Sequence, residues 1–309
     1  AFRAFSGIGS ALIFALSQAY VGDLAPEGFE GRYMGAFGIF IASGFGVGPL
    51  LAGIIRDQYD IATVFISMAV MFTAASTAVA VLLPKSKRIR TGGIDQPPAV
   101  PWSTILKHPY VQGLYLVGTS LAFAMGASFT FVAIYLEEEF AATATMVGAV
   151  LAVQQVTNGA MQPLSGMLAD RLNRRALILG GAILVSIGYL TPAVVDEYWL
   201  ILVGFMLGVG IGSSIAQVST QALQVDIGRG LGMATVMSLQ STSFGSGVLM
   251  GSMLTGIVAD AVGTRWVFIV ASLVILGGAL AFILRTAGHP VTRFGELEQP
   301  PAEVEATSG

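Results

Sequence analysis

Nine stretches of about twenty apolar residues, separated by short polar joints, limit this chain more than any other feature it has. They cover residues 1–22, 33–55, 62–83, 109–136, 145–168, 176–195, 198–224, 230–258 and 265–285. A helix of that length matches the hydrocarbon thickness of a bilayer, and lipid admits only segments that satisfy their own backbone hydrogen bonds. The expectation is an all-α polytopic membrane protein with nine transmembrane helices. Charge supports it: 11% of the residues are charged, where soluble domains carry about a quarter. The opening run is apolar from Ala1 and has Arg3 inside it, so it reads as a helix and not as a signal peptide.

Several function classes drop out at once. The net charge is −3 and the cations are dispersed, so no basic patch is available for nucleic acid. There is no cysteine, and His108 and His289 both sit in polar joints. That leaves no disulfide framework, no metal-ligand cluster and no reason to expect a cofactor. Gly208-x-Gly-x-Gly212 lies inside a hydrophobic run with no preceding strand, which excludes a nucleotide loop. A membrane-embedded enzyme is not expected.

Orientation follows from lysine and arginine counted joint by joint. With residues 84–108 in the cytosol, twelve fall on that side: Arg32, Lys85, Lys87, Arg88, Arg90, Lys107, Arg171, Arg174, Arg175, Arg229, Arg285 and Arg293. Only Arg56 and Arg265 lie outside. The bias predicts a cytosolic C-terminus and a multi-pass protein of the plasma, or inner, membrane. Residues 84–108 contain five of these cations and Pro97, Pro98 and Pro101, so they read as a linker between two bundles. The expected divisions are 1–83, the remainder of a first bundle; 84–108, the linker; 109–285, a second bundle; and 286–309, an acidic, disordered cytosolic tail.

The two bundles share an ancestor in the sequence itself. At an offset of 203, Gly7-Ile8-Gly9-Ser10 aligns with Gly210-Ile211-Gly212-Ser213, Gln18-Ala19 with Gln221-Ala222, and Asp23 with Asp226. Without a gap, Gly44, Gly48, Gly53-Ile54 and Asp57 then fall on Gly247, Gly251, Gly256-Ile257 and Asp260. Such a repeat is a hallmark of transporters built from duplicated bundles. It places the partner of the run at 109 about 95 residues before Ala1, with room for three more helices, so the nine runs are expected to be helices 4 to 12 of twelve. The 309 residues alone are then not expected to transport.

Three motifs give the chain a family likeness. Residues 166–175 read Gly-Met-Leu-Ala-Asp-Arg-Leu-Asn-Arg-Arg; the first run carries Arg3, Gly7, Gly9 and Ala11; the second carries Gly35, Gly44, Gly48-Pro49 and Ala52-Gly53. Together they resemble the major facilitator superfamily over essentially the whole length. The second-run motif resembles that of its drug:proton antiporters, with Ala52 in place of a glycine. The resemblance implies two pseudo-symmetric helical bundles, alternating access to a central site, a small-molecule substrate, protons as partner and a monomer in the bilayer.

The candidate site residues can also be read physically. Arg3 is the one charge well inside a hydrophobic run, where it costs about 2.5–3.5 kcal/mol; its repeat mate is Met206, which argues for a role in a central cavity over snorkelling to the interface. Gln154, Asn158 and Gln162 recur every fourth residue, and Ser214, Gln217, Gln221 and Gln224 recur at three and four. Amides cannot face lipid, so these stripes point to a hydrated cavity. Gln240 joins them, with Tyr115 and Phe123 as apolar walls. A cavity of that kind suits an apolar or weakly polar solute.

Gly166, Asp170, Arg171, Arg174, Arg175 and Asp226 are expected to form a cytosolic latch, with Asp23 as the repeat mate of Asp226. Gly44, Gly48, Pro49 and Gly53 are expected to pack and bend the second run. No acidic residue is near mid-membrane, so any coupling carboxylate is expected in helices that precede Ala1. The function these readings favour is proton-coupled efflux of a small solute. An uptake symporter or uniporter of the same fold, or a transport-inactive sensor, remains the alternative.

Overall fold

A computed structural model describes residues 9, 13, 17, 20, 21, 30–83, 102–231 and 233–288. Among them there is no strand, and the helices follow one another with short joints. Helix α1 (Glu30–Gln58) leads through a two-residue turn to α2 (Ile61–Leu82), whose N-terminus is capped by Asp60 accepting from the Thr63 amide at 2.7 Å. A short α3 (Trp102–Lys107) precedes α4 (Pro109–Phe140), α5 (Ala144–Arg171) and α6 (Arg174–Val194). The next run begins as α7 (Tyr198–Gly204), passes through a π-helical segment at Phe205–Ile211 and continues as α8 (Gly212–Leu231). Helices α9 (Met233–Val262) and α10 (Thr264–Thr286) complete the described chain.

The apolar runs and the helices coincide to within a few residues at most ends. The largest difference is at α8, which reaches Leu231 although the seventh run was expected to stop at 224. Its last turns carry Asp226 and Arg229, charged positions that end an apolar run in the sequence without ending the helix. Helix α3 sits inside the stretch read as linker. Six described helices are long and apolar enough to cross a membrane: Ile61–Leu82, Pro109–Phe140, Arg174–Val194, Tyr198–Gly228, Ser238–Val262 and Thr264–Thr286. Helix α5 is as long but has Gln154, Gln155, Asn158 and Gln162 in its middle. The first run, with Arg3 and Asp23, and the tail beyond Gly288 fall outside the described residues apart from five helical positions.

Helix α4 is the hub of the packing, with α9 on one side and α10 on another, while α6 packs on α10, α8 and the π segment. Helix α5 lies between α1 and the π segment with α8. One apolar core joins Tyr135, Tyr189, Phe205 and Phe268; a second gathers Tyr110, Ile178, Leu223 and Phe282. Phe65, Val70, Trp199 and Leu284 instead point outward and are well exposed. In water such a surface drives aggregation; against hydrocarbon it is the expected exterior.

Glycines fix how closely these helices approach. A methyl group on Gly251 would lie 2.1 Å from the Phe123 carbonyl oxygen, one on Gly247 2.5 Å from that of Thr119, and one on Gly126 2.4 Å from that of Val248. The Gly247-x-x-x-Gly251 face is thus pressed against the α4 backbone, as spacing of small residues in membranes predicts. The repeat-related pair does otherwise. A methyl on Gly44 or Gly48 would meet no described atom, and the close approaches of α1 belong to Gly46 and Gly53, both against α5.

Candidate functional site

A polar seam runs where α5 meets the π segment and α8. Gln162 donates from Nε2 to Asn158 Oδ1 at 3.2 Å, and Asn158 donates from Nδ2 to Ser213 Oγ at 2.9 Å. The Ser213 hydroxyl in turn donates to the Val209 carbonyl, and Ser165 and Ser214 share a hydrogen bond of 3.0 Å. The four-residue spacing on α5 allows this ladder, because residues i and i+4 lie one above the other on a helix. Gln154 is buried at the other end of the stripe, and among the described residues its Oε1 has no hydrogen-bond partner. Gln224 Oε1 and the hydroxyls of Ser219 and Thr220 are buried in the same condition.

The π segment is what brings this seam together. Gly204, Gly208 and Gly212 lie against Thr191, Gly188 and Leu184 of α6, and Gly210 lies against Thr157 and the Gln154 carbonyl of α5. The Gly-x-Gly-x-Gly run therefore packs in two directions, because residues two apart on a helix face opposite sides and residues four apart share one.

The expected stripe on α8 divides. Ser214 and Gln224 are buried, whereas Gln217 and Gln221, on the arc between them, are exposed. Gln240 is half-buried on α9. The aromatic walls do not join the seam. Phe123 is buried on α4, where α9 crosses it. Tyr115 is engaged through its hydroxyl with Ser246 at 3.4 Å and lines a separate cleft of about 300 Å³ with Leu106, Gln112, Leu239 and Arg285. Aromatic side chains are large enough to serve the core of a bundle, so residue type alone did not tell a packing phenylalanine from a cavity wall.

At the opposite end of α5 the cationic motif sorts its members. Arg174 pairs with Asp226 and also donates to the carbonyls of Ala169 at 3.2 Å and Ala222 at 3.3 Å. This staple ties the α5–α6 joint to the end of α8. Arg175 stands 5.1 Å above the ring of the buried Tyr110, a cation–π arrangement, and Asn173 caps α6 by accepting from the Arg175 amide. Asp170 and Arg171 are exposed and form no ion pair among the described residues, and a methyl on Gly166 would meet nothing within 4 Å. Arg3 and Asp23 lie outside the described residues, so their surroundings are not part of this geometry.

One group of contacts was missed in the sequence. Asp57, named there only as the repeat mate of Asp260, accepts hydrogen bonds from the amides of Ala144 at 2.9 Å and Thr145 at 2.7 Å. Next to it Arg56 pairs with Glu137 at 3.0 Å. The repeat held a signal for it, since Asp57 is matched by Asp260 at the same offset as the glycines.

Comparison with known proteins places these features. The sequence model of the Major Facilitator Superfamily matches residues 1–135 and 114–307. An uncharacterized MFS-type transporter of Methanocaldococcus jannaschii is 25% identical over 84% of this chain and 68% of its own length. The multidrug resistance protein MdtG of Dickeya zeae is 23% identical over 84% of this chain and 64% of its own. MdtH of Cronobacter sakazakii, also a multidrug resistance protein by name, is 29% identical over 41% of this chain and 32% of its own. The chain therefore spans about two thirds or less of the relatives it matches.

Proposed function

Since the chain belongs to the major facilitator superfamily, a family of membrane transporters and not of enzymes, we propose that it is part of a secondary active transporter that expels an apolar or weakly polar compound in exchange for protons. In this reading nine transmembrane helices form the remainder of one bundle, residues 1–83, and a second bundle, residues 109–285. The linker and the C-terminus are cytosolic, the membrane is the plasma or inner membrane, and the working unit is a monomer. The two bundles rock about a site between them, exposing it to one side at a time.

The observation that carries the proposal is the line of amides in helices otherwise fit for lipid. Asn158 and Gln162 are tied to Ser213, while Gln217 and Gln221 are exposed. An amide turned to hydrocarbon loses its hydrogen bonds at a cost of several kcal/mol. Gln217 and Gln221 therefore face a watered cavity, in which an uncharged polar lining recognises a weakly polar solute. Arg3 is the proposed charge of that cavity. The relatives named for multidrug resistance support the direction of transport.

The test is proton movement. With the full-length parent transporter in proteoliposomes under a preset proton gradient, a lumenal dye reports pH while lipophilic cations, drugs and sugars are added in turn. Proton leak from the acidic compartment on addition of a drug is the expected outcome, abolished by Arg3→Ala. Asn158→Ala is expected to raise KM roughly fivefold, the worth of one hydrogen bond. Sugar or other solute uptake with no pH response to any compound would retire the exchange mechanism in favour of a uniporter or a symporter driven by another ion.

A further inference from the structure

The first four amides of an α-helix have no partner within it. In α5, where Thr143 is the cap residue and its carbonyl takes the first helical bond from the Val147 amide at 3.1 Å, they include those of Ala144, Thr145 and Met146. One is satisfied locally: Thr143 accepts from the Met146 amide through its hydroxyl at 3.3 Å. The other two are not. Ala144 and Thr145 donate to the two carboxylate oxygens of Asp57, a residue 87 positions upstream of Ala144 at the far end of α1. Helix α5 thus has one cap of its own and one that only α1 supplies.

The contact around this cap is close and nearly without slack. A methyl group on Gly53 would stand 2.3 Å from the Ala144 carbonyl oxygen, and one on Gly148 would stand 2.5 Å from that of Pro49. Pro49 lacks an amide proton and its ring stiffens α1 where Gly148 receives it. Phe45 reaches Phe129 of α4 with ring centroids 6.2 Å apart, and Arg56 pairs with Glu137 on the same helix. The carboxylate also sits at the positive end of the α5 dipole, which favours it further.

We infer that Asp57 is the external latch of this transporter: by capping α5 it holds α1 of one bundle against α5 of the other and keeps the outward face shut. The inference rests on the reading that these helices belong to two bundles that part during transport. When they part, the Ala144 and Thr145 amides return to water and the two glycine seats empty together. The latch is therefore all or none, and no other described carboxylate supplies it. The Arg56–Glu137 pair beside it is about half exposed on both sides, so it guides closure and holds little.

Distance measurement by electron paramagnetic resonance tests this without any transport assay. The sequence contains no cysteine, so spin labels on Tyr59→Cys and Trp199→Cys, both exposed positions, report the gap across the outward face in nanodiscs. Asp57→Ala is expected to raise the population of the longer distance roughly fivefold, the scale of a lost helix cap. Arg56→Ala is expected to leave the distribution within twofold of the parent. Should Asp57→Ala fold poorly, Asp57→Asn keeps the shape and one acceptor and is expected to fall between the two. Gly148→Ala forces the same crossing apart from the α5 side and is expected to mimic Asp57→Ala. An unchanged distribution in well-folded Asp57→Ala and Asp57→Asn overturns the latch while leaving exchange transport standing. A transport-inactive protein with an opened gap overturns the function and leaves the latch.

Discussion

At the scale of single residues, two carboxylates face different chemistry. Asp57 lies past the apolar run of α1. The hydroxyl of Thr145 first, then its amide, hold the Asp57 carboxyl down to about 2 against the opposing effect of burial, with the Ala144 amide and the Thr143 hydroxyl adding lesser contributions. A depressed carboxyl stabilises the contact wherever it is ionised, so its contribution is complete above about pH 4 and is lost only as pH falls through about 2. Arg56 and Glu137 are the charged groups beside it. The outward gap is therefore expected to stay the same from pH 8 to pH 5, checked with the Tyr59/Trp199 label pair. An opening near pH 6 contradicts a cap held by hydrogen bonds. Asp226 differs, being largely buried against Arg174. Asp226→Asn leaves a guanidinium still bonded to two carbonyls and should cost about 1–2 kcal/mol, whereas Arg174→Ala removes every bond of the staple and should cost about 2–4 kcal/mol. Thermal unfolding in detergent ranks the two.

At the scale of helices, the repeat predicts the same glycine chemistry twice, and the packing uses it once in the expected place. Gly251→Ala sets a methyl 2.1 Å from the Phe123 carbonyl, a backbone clash worth about 1–3 kcal/mol. Gly44→Ala meets no described atom and should be neutral or slightly stabilising, since alanine is the better helix former by up to about 1 kcal/mol. Equal losses of melting temperature in the two variants would show that α1 has a partner at Gly44. Helix existence was legible because hydrophobic length alone selects it, and α4 through α10 appear where the runs lie. Spacing placed Asn158 and Gln162 on one face of α5 as a cavity lining, but did not say that the two amides bond to each other. It did not distinguish which glycines meet a backbone, nor that Phe123 serves packing, because both depend on which helix lies opposite. The π segment at Phe205–Ile211 was illegible for a related reason: its glycines lie against α5 and α6, and the apolar run does not say which helices will flank it. Asp57 escaped because a cap donated across 87 residues leaves no local signature beyond its echo at Asp260.

For the molecule as a whole, the question is which contacts travel together and which separate. The Arg174–Asp226 staple joins α6 to α8, and the α4–α9 crossing is closed by glycines on both helices; all of these elements follow residue 102. Contacts of α1 with α4 and α5 bridge the stretch at 84–108. A rocking mechanism must keep the first set and break the second, because packed bundles rearrange as units and not by gradual deformation. Two ion pairs on the same face let this be tested with matched chemistry. Arg56–Glu137 crosses between the proposed bundles, while Asp196–Arg265 joins the α6–α7 joint to α10 inside the second one. In the full-length parent, cysteines at either pair can be bridged by a short, reducible, thiol-specific reagent, with no other thiol among these 309 residues. Bridging Arg56→Cys to Glu137→Cys is expected to stop turnover, with recovery on reductive release. Bridging Asp196→Cys to Arg265→Cys is expected to leave at least half of it, since a link within a rigid body removes no motion that transport uses. Equal inhibition by both bridges would mean that the second bundle itself deforms during the cycle, and the boundary between moving parts would then have to be drawn inside it.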